Sequence, residues 1–238
     1  MTASPDPWSF FDKIYCISID TRIDRRTEAK KQFSQVGLLE RVEFVLVKKH
    51  TDSPEKGIFE SHICCLEKGL QAGAQHILIF EDDVLIRNFQ SNALVEAGIF
   101  LKNNPDWKAF FLGAIISKMQ KTDTRSVVNI QFRCLAHAYA LNQYFAKQLV
   151  QQPWNNIPFD DLLKQQCDNF YALSPMIAFQ SAASSDNQTI VLDRLRRFFG
   201  GLPFIQKSTE FYQRHKIAII CSHALAFIAL ITLLANSL

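Results

Sequence analysis

The stretch HILIFEDDV, His76 to Val84, decides how the rest of the chain is read. HILIF is a short apolar run of strand-forming residues, and it ends abruptly in three successive carboxylates, Glu81, Asp82 and Asp83. In open α/β sheets ligands bind beyond the carboxyl ends of the strands, which is where this triplet falls. Two carboxylates about 5 Å apart at an effective dielectric near 20 repel by roughly 3 kcal/mol. The triplet therefore either projects into water as an acidic turn or holds a divalent cation. Hard oxygen ligands suit Mg²⁺ or Mn²⁺, with substrate phosphates and water completing the shell. On the cation reading the motif is a place to hold a metal–diphosphate, and since kinases, phosphatases and nucleotide-sugar enzymes all place acids in this way, it points to no single reaction.

Outward from the triplet, strand-like runs occur at Lys13–Ile19 (KIYCISI), Val42–Val47 (VEFVLV), Ala109–Leu112 (AFFL) and Met176–Phe179 (MIAF). Helical patterns lie between them. Asp24 to Val36 is rich in charged helix formers and stops at Gly37, a C-terminal cap residue. Ser53-Pro54 has the cap-then-proline order of a helix start, and Phe59, Ile63, Leu66 and Leu70 follow at helical spacing. Asn88–Leu101 and Asn142–Val150 are further helices, while Cys134–Leu141 (CLAHAYAL) is either a strand or the start of a helix. Strands alternating with helices predict an α/β domain with a mainly parallel central sheet. Tyr171, Phe110 and Phe111 read as core aromatics.

The composition is globular, 48% apolar and 21% charged, which excludes a disordered or fibrous chain. A net charge of +3 is too balanced to point to nucleic acid. Arg194–Lys216 alone carries +5, so the remainder is near −2 and the positive charge is a collar near the C-terminus. The collar precedes IAIICSHALAFIALITLLA, Ile217 to Ala235, which has no charged residue and the length of a bilayer-spanning helix. Arg214, His215 and Lys216 flank its N-terminal side, and the N-terminal MTASPDPWSFFDK has no signal pattern. The expectation is a single-pass C-terminal anchor in contact with membrane lipids, with the folded part facing the cytoplasm. Ile190–Phe199 places Val191, Leu195 and Phe198 on one face beside Arg194, Arg196 and Arg197, a segment that either lies on an anionic membrane or docks on its own domain. Six cysteines without metal or redox spacing are expected to be reduced and mostly buried.

Several segments, taken in order, resemble glycosyltransferase family 25, the lipooligosaccharide-biosynthesis enzymes related to procollagen galactosyltransferases. IYCISIDTRIDRR (Ile14–Arg26) is similar to the family's first strand and its basic turn, with Ser18 and Thr21 departing and Asp20, Arg22, Asp24, Arg25 and Arg26 matching. KGIFESHICCLEKGL resembles a family helix through Gly57, Ser61 and His62, with Ile58 and Glu60 departing. ILIFEDDV is similar to the acidic motif, WKAFFLG to the following strand and HAYALNQYFAKQL to a later segment. IPFDDLL matches through Asp160, and FYALSPMIAFQSAASSD through Pro175, Gln180, Ser185 and Asp186. The likeness runs from about Ile14 to Asp186 and leaves out the collar and tail.

The resemblance implies a nucleotide-diphospho-sugar transferase (GT-A-like) fold and transfer, with inversion, of a sugar, galactose above all, from a UDP-sugar donor to a glycan or glycolipid hydroxyl. It implies Mn²⁺ or Mg²⁺ held by Glu81 and Asp83, with Asp82 at the donor. Asp20, Arg22, Arg25 and Arg26 are implied at the nucleotide and diphosphate, where an arginine fork donates paired hydrogen bonds. Ser61, His62 and Asp186 are further donor contacts. Asp160 is the candidate base that takes the acceptor's proton, with Asp161 its rival; helix N-capping is the bland role for Asp160. The organisation expected is a catalytic domain over residues 1–189, a basic membrane-proximal segment over 190–216 and a transmembrane anchor over 217–235. Two other classes fit the same residues. One is an inactive nucleotide-sugar or glycan-binding module of this fold, and the other is a metal-dependent phosphoryl enzyme, for which the chain has no P-loop.

Overall fold

The structure is a computed structural model that describes residues 6–181 and 201–236. Asp186, the segment Ile190–Phe199 and the boundary at residue 189 lie outside the described residues. Among those described, eight strands and six α-helices are present: β1 Lys13–Ile19, α1 Ile23–Gln35, β2 Val42–Val47, α2 Pro54–Gln71, β3 His76–Glu81, β4 Val84–Ile86, α3 Ser91–Asn103, β5 Ala109–Lys121, β6 Val127–Asn142, α4 Gln143–Leu149, α5 Phe159–Gln165, β7 Phe170–Leu173, β8 Ala178–Gln180 and α6 Gly201–Asn236.

Six strands form one sheet in the order β2-β1-β3-β6-β5-β7, and β4 pairs with β8 in a small second sheet. The α/β class expected from the sequence is the class observed, with a mixed sheet. β1 runs parallel to β2 and β3, and β5 parallel to β7. β6 runs against β3, β5 and β7, because a five-residue turn joins it to β5 and so tight a connection forces antiparallel pairing. Cys134–Leu141 is thus strand. β5 continues well past Leu112 because the hairpin pairs its polar half, Ser117 to Lys121, with β6.

Alternation along the central strands separates two apolar layers. On β3, Ile77 and Ile79 face one layer, together with Phe59, Leu66, Phe145 and Phe159 from α2, α4 and α5. Leu78 and Phe80 face the other, with Phe33 from α1 and Leu94, Ala97 and Leu101 from α3. The sheet is therefore covered on both faces, and its free functional edge is the C-terminal rim of β1, β2 and β3. Phe110 and Phe111 are core, as read from the sequence. The six cysteines are free as expected, but only Cys16 and Cys65 are buried; Cys64 and Cys221 are exposed because they lie on outward helix faces.

α6 is one unbroken helix that crosses the expected boundary at residue 217. Its first turns dock on β5 and β8, and the tail beyond is apolar, with mean hydropathy 2.5 over its most apolar window and none of that window buried. By length and composition it is able to cross a membrane.

Candidate active site

The carboxylate triplet sits where the main sheet hands over to the small one. The Asp82 N–H donates to Ile17 O (3.1 Å), extending the β1–β3 ladder by one bond and fixing the turn into β4. Asp82 and Asp83 are 6% and 9% exposed. That burial excludes the solvated acidic turn, because like charges removed from water require a counter-charge or a proton. Arg25, on the first turn of α1, supplies part of it: its Nη1 lies 3.6 Å from Asp82 Oδ1 and 3.7 Å from Asp83 Oδ2. Gln180 Nε2, on β8, donates to Asp83 Oδ2 (3.1 Å), and Ser181 N–H donates to Asp83 O (2.8 Å).

The other oxygens, Asp82 Oδ2 and Asp83 Oδ1, are buried and have no hydrogen-bond partner among the described residues. Burial pushes the Asp83 carboxyl up to about 7, helped by the charge of Glu81 and opposed by Arg25; Asp82 is also raised, by burial first. Two adjacent, unsatisfied carboxylate oxygens fit a hard divalent cation. Among the described residues no three Asp, Glu, His or Cys side chains converge on a common metal position, so the protein's share of such a shell is small and phosphate and water would complete it.

Glu81 lines the same cleft as this pair and reaches α2. Its Oε1 lies 3.4 Å from His62 Nε2, and His62 Nδ1 is 2.9 Å from the Tyr139 hydroxyl on β6. The His62 ring stacks on Phe159 at 4.3 Å with planes 5° apart, which fixes its orientation. Burial lowers His62 to about 4, and burial raises Glu81 to about 8, with Asp160 and Asp82 adding to the rise. These shifts favour an uncharged imidazole and a protonated Glu81 carboxyl near neutral pH. Ser61, beside His62, donates to Gly57 O within its own helix (2.6 Å) while lining the cleft.

Asp160 is not the N-cap of α5; Pro158 holds that position and Asp160 falls in the first turn. Its carboxylate instead accepts from Leu135 N (2.8 Å) and Ala136 N (3.1 Å). Those N–H groups are available because the β5–β6 register jumps there, from Gly113↔Ala138 to Ile115↔Cys134, with Leu135 at φ 73°. A bulge turns two amides out of the ladder and Asp160 satisfies them. Burial raises the Asp160 carboxyl against the pull of those two donors, and the fields of Glu81 and His62 reach it. Asp161 is exposed and lies 3.9 Å from Lys164.

Of the basic residues, Arg25 reaches the triplet. Arg22 forms a two-point pair with Asp24 (both 3.0 Å) beside it. Arg26 donates to Ser18 Oγ, Ile19 O and Asp20 O (3.1–3.2 Å), so it braces the β1–α1 turn. The exposed Asp20 anchors that turn through its backbone, its N–H donating to Val47 O (2.9 Å).

Arg25, Ser61, His62, Glu81, Asp82, Asp83 and Gln180 line one cleft of about 190 Å³, whereas Asp20, Arg22, Arg26, Asp160 and Asp161 are not among its lining residues. Lys48, Lys49 and His50 after β2, which no motif in the sequence marks, also line it, as do Pro54, Gly57 and Ile58 on the first turns of α2. His50 Nδ1 accepts from Asp52 N (3.2 Å) and Ser53 N (3.1 Å), and Ser53 Oγ in turn caps α2 by accepting from Lys56 N (3.1 Å). Lysines beside a helix N-terminus favour an anion. Ser61 and His62 continue that lining along α2, and Glu81 and Gln180 come from β3 and β8. The fold and site together define an α/β protein with a cleft lined by lysines and buried acids at the carboxyl edge of its sheet.

No protein-family model matches the sequence, and no curated protein does. Among solved structures the chain is similar to A197 from STIV, with 12% identity, 71% of this chain and 84% of that chain covered, and a TM-score of 0.45. It is also similar to a glycosyltransferase involved in the glycosylation of the major capsid of PBCV-1, with 11% identity, coverage of 65% and 74%, and a TM-score of 0.41. A third is the mannosyltransferase PcManGT from Pyrobaculum calidifontis in complex with GDP-Man and Mn2+, with 12% identity, coverage of 98% and 82%, and a TM-score of 0.44.

Proposed function

We propose that the chain is a metal-dependent glycosyltransferase that moves a sugar from a nucleoside diphosphate donor to a hydroxyl of a glycan or glycolipid. The observation that carries this is the pair of buried, unsatisfied oxygens on Asp82 and Asp83, in a cleft that Lys48 and Lys49 also line. The ordered resemblance from Ile14 to Asp186 supports the finer reading: UDP as the nucleotide, galactose as the sugar, inversion as the outcome and lipooligosaccharide-type glycans as acceptors. The apolar half of α6 supports a membrane anchor, and the basic residues before it support a cytoplasmic site.

Asp82 and Asp83 would hold Mn²⁺ or Mg²⁺, with Glu81 nearby but turned to His62. The bound ion would neutralise the diphosphate as it leaves. Arg25 holds the two aspartates together and presents donors to the diphosphate, while Arg22 adds positive field. Lys48, Lys49 and the start of α2 receive the nucleotide's anionic end. His62 and Glu81 form a neutral, oriented pair that is able to donate to a sugar hydroxyl. Asp160 takes the proton from the acceptor hydroxyl as the new glycosidic C–O bond forms and the bond to the diphosphate breaks.

The test is a screen of nucleotide-sugar donors with the full chain in detergent, reading nucleoside diphosphate released with Mn²⁺ and with chelator. Release from at least one donor, lost on chelation and in Asp83→Ala, is the expected result. Absence of Mn²⁺-dependent nucleotide binding together with absence of release refutes the proposal. One observation favours a second reading, a metal-free nucleotide-sugar-binding module: Arg25 already stands between Asp82 and Asp83. That module would be stabilised by nucleotide alone, indifferent to Mn²⁺, and without turnover.

A further inference from the structure

The small sheet that carries Gln180 is held from behind by the docked turns of α6. Gln206 is fully buried, and its Nε2 donates to Ala178 O (2.7 Å) at the start of β8. Glu210 Oε1 accepts from Met176 N (3.2 Å) just before β8 and from Arg214 Nη2 (2.7 Å). Arg214 Nη2 also reaches Ser174 Oγ (3.0 Å), and Lys207 Nζ lies 5.2 Å from the centre of the Phe179 ring. Every second residue from Ser174 to Ala178 thus has a polar partner on α6.

Gly113 of β5 makes room for this contact. A Cβ there would stand 1.8 Å from Ala178 O and 2.9 Å from Gln206 Nε2. β8 is only three residues long and pairs with a β4 of equal length. So short a ladder holds its place through its flanks. On its other side β8 meets the triplet directly, through Gln180 Nε2 to Asp83 Oδ2 and Ser181 N–H to Asp83 O. The route from Gln206 to Asp83 is therefore one hydrogen bond, three residues of strand and one hydrogen bond.

We propose that Gln206 is a positioning residue for the cation site: by fixing Ala178 it sets β8, and β8 sets Gln180 and the Asp83 carboxylate. The helix that ends in the apolar tail is on this account also the back wall of the site, with Glu210 as its second point of hold. The inference rests on the proposed metal reading only for the identity of what Asp83 binds; the mechanical link stands apart from it.

The test uses the full chain in detergent without substrate, with two readouts. The first is amide hydrogen exchange in residues 84–87 and 177–181, with β1 and β3 as internal controls and no metal present. The second is Mn²⁺ affinity from free-ion titration. Gln206→Met, which keeps volume and removes the donor, is expected to speed exchange in the two β4 and β8 segments about three- to tenfold, the loss of one net hydrogen bond. The control strands stay unchanged and Mn²⁺ binding weakens by a similar factor. Should Gln206→Met fail to fold, Glu210→Leu and Glu210→Gln serve instead: Leu reproduces the effect, and Gln, which still accepts from Met176 N–H, restores wild-type exchange. Unchanged exchange in the β4 and β8 segments overturns the link. If exchange rises while wild type binds no Mn²⁺, the link holds and the metal reading is the part that fails.

Discussion

Stability without metal is expected to fall as pH rises through neutrality, by an amount that follows from three buried groups and the half-buried Glu81. Glu81 and Asp83 are raised in the folded state to about 8 and about 7. A raised carboxyl binds more protons folded than unfolded, so its contribution is complete below the unfolded value near 4 and is lost as pH climbs through the folded value. His62 and His137 are lowered to about 4 by burial and have the opposite sign, gaining stability up to about pH 6.5. Below pH 6.5 the two pairs roughly cancel. Above it the histidines are spent and the carboxyls continue. From pH 6.5 to 8.5 the carboxyls lose on the order of 3 kcal/mol and the histidines return about 1, a net fall on the order of 2 kcal/mol. Asp82 and Asp160, also raised, add in the direction of the carboxyls. A cation that must displace the Asp83 proton should bind about tenfold more tightly at pH 8 than at pH 6. Urea unfolding of the full chain in detergent, followed by the fluorescence of buried Trp8 and Trp107, measures both with chelator and with Mn²⁺. Stability that rises between pH 6.5 and 8.5 without metal, or a Mn²⁺ increment equal at pH 6 and 8, would refute the burial argument for Glu81 and Asp83.

Three other outcomes are expected. Arg25→Met removes the cation between two buried acids and should cost about 3–5 kcal/mol without metal, with Mn²⁺ restoring most of it; a melting increment from Mn²⁺ no larger than in wild type contradicts Arg25 as the stand-in charge. Gly113→Ala drives a methyl into Ala178 O and should lose stability at or beyond the upper end of the about 1–3 kcal/mol typical of overpacking, read by urea midpoint. Asp160→Asn should retain nucleotide binding and lose transfer, while exposed Asp161→Asn keeps activity near wild type; the reverse pattern moves the base to Asp161.

The sequence shows most clearly what is encoded locally. β1 and β2 begin and end at the residues where the β-rich runs do, and Ser53 caps α2 as its cap-then-proline order indicates. The acidic triplet lies at the strand end that its abrupt change from apolar to charged requires. What was missed depends on contacts between distant segments. The polar half of β5 is a strand only because β6 pairs with it. The role of Asp160 is set by a bulge 25 residues earlier, and no feature of IPFDDLL announces it. His62 finds Tyr139 across 77 residues, and Gln180 finds Asp83 across 97. Gln206 has no local signature, since a glutamine beside Lys207 reads as a solvated helix position.

α6 runs 36 residues without a break, about 54 Å from its docked turns to its apolar end. A helix with no joint between these halves acts as a stiff mast. In a bilayer it would hold the cleft at one height and one tilt above the lipid, and under the proposed function acceptors would be chosen by how far their hydroxyls stand from the surface as much as by their chemistry.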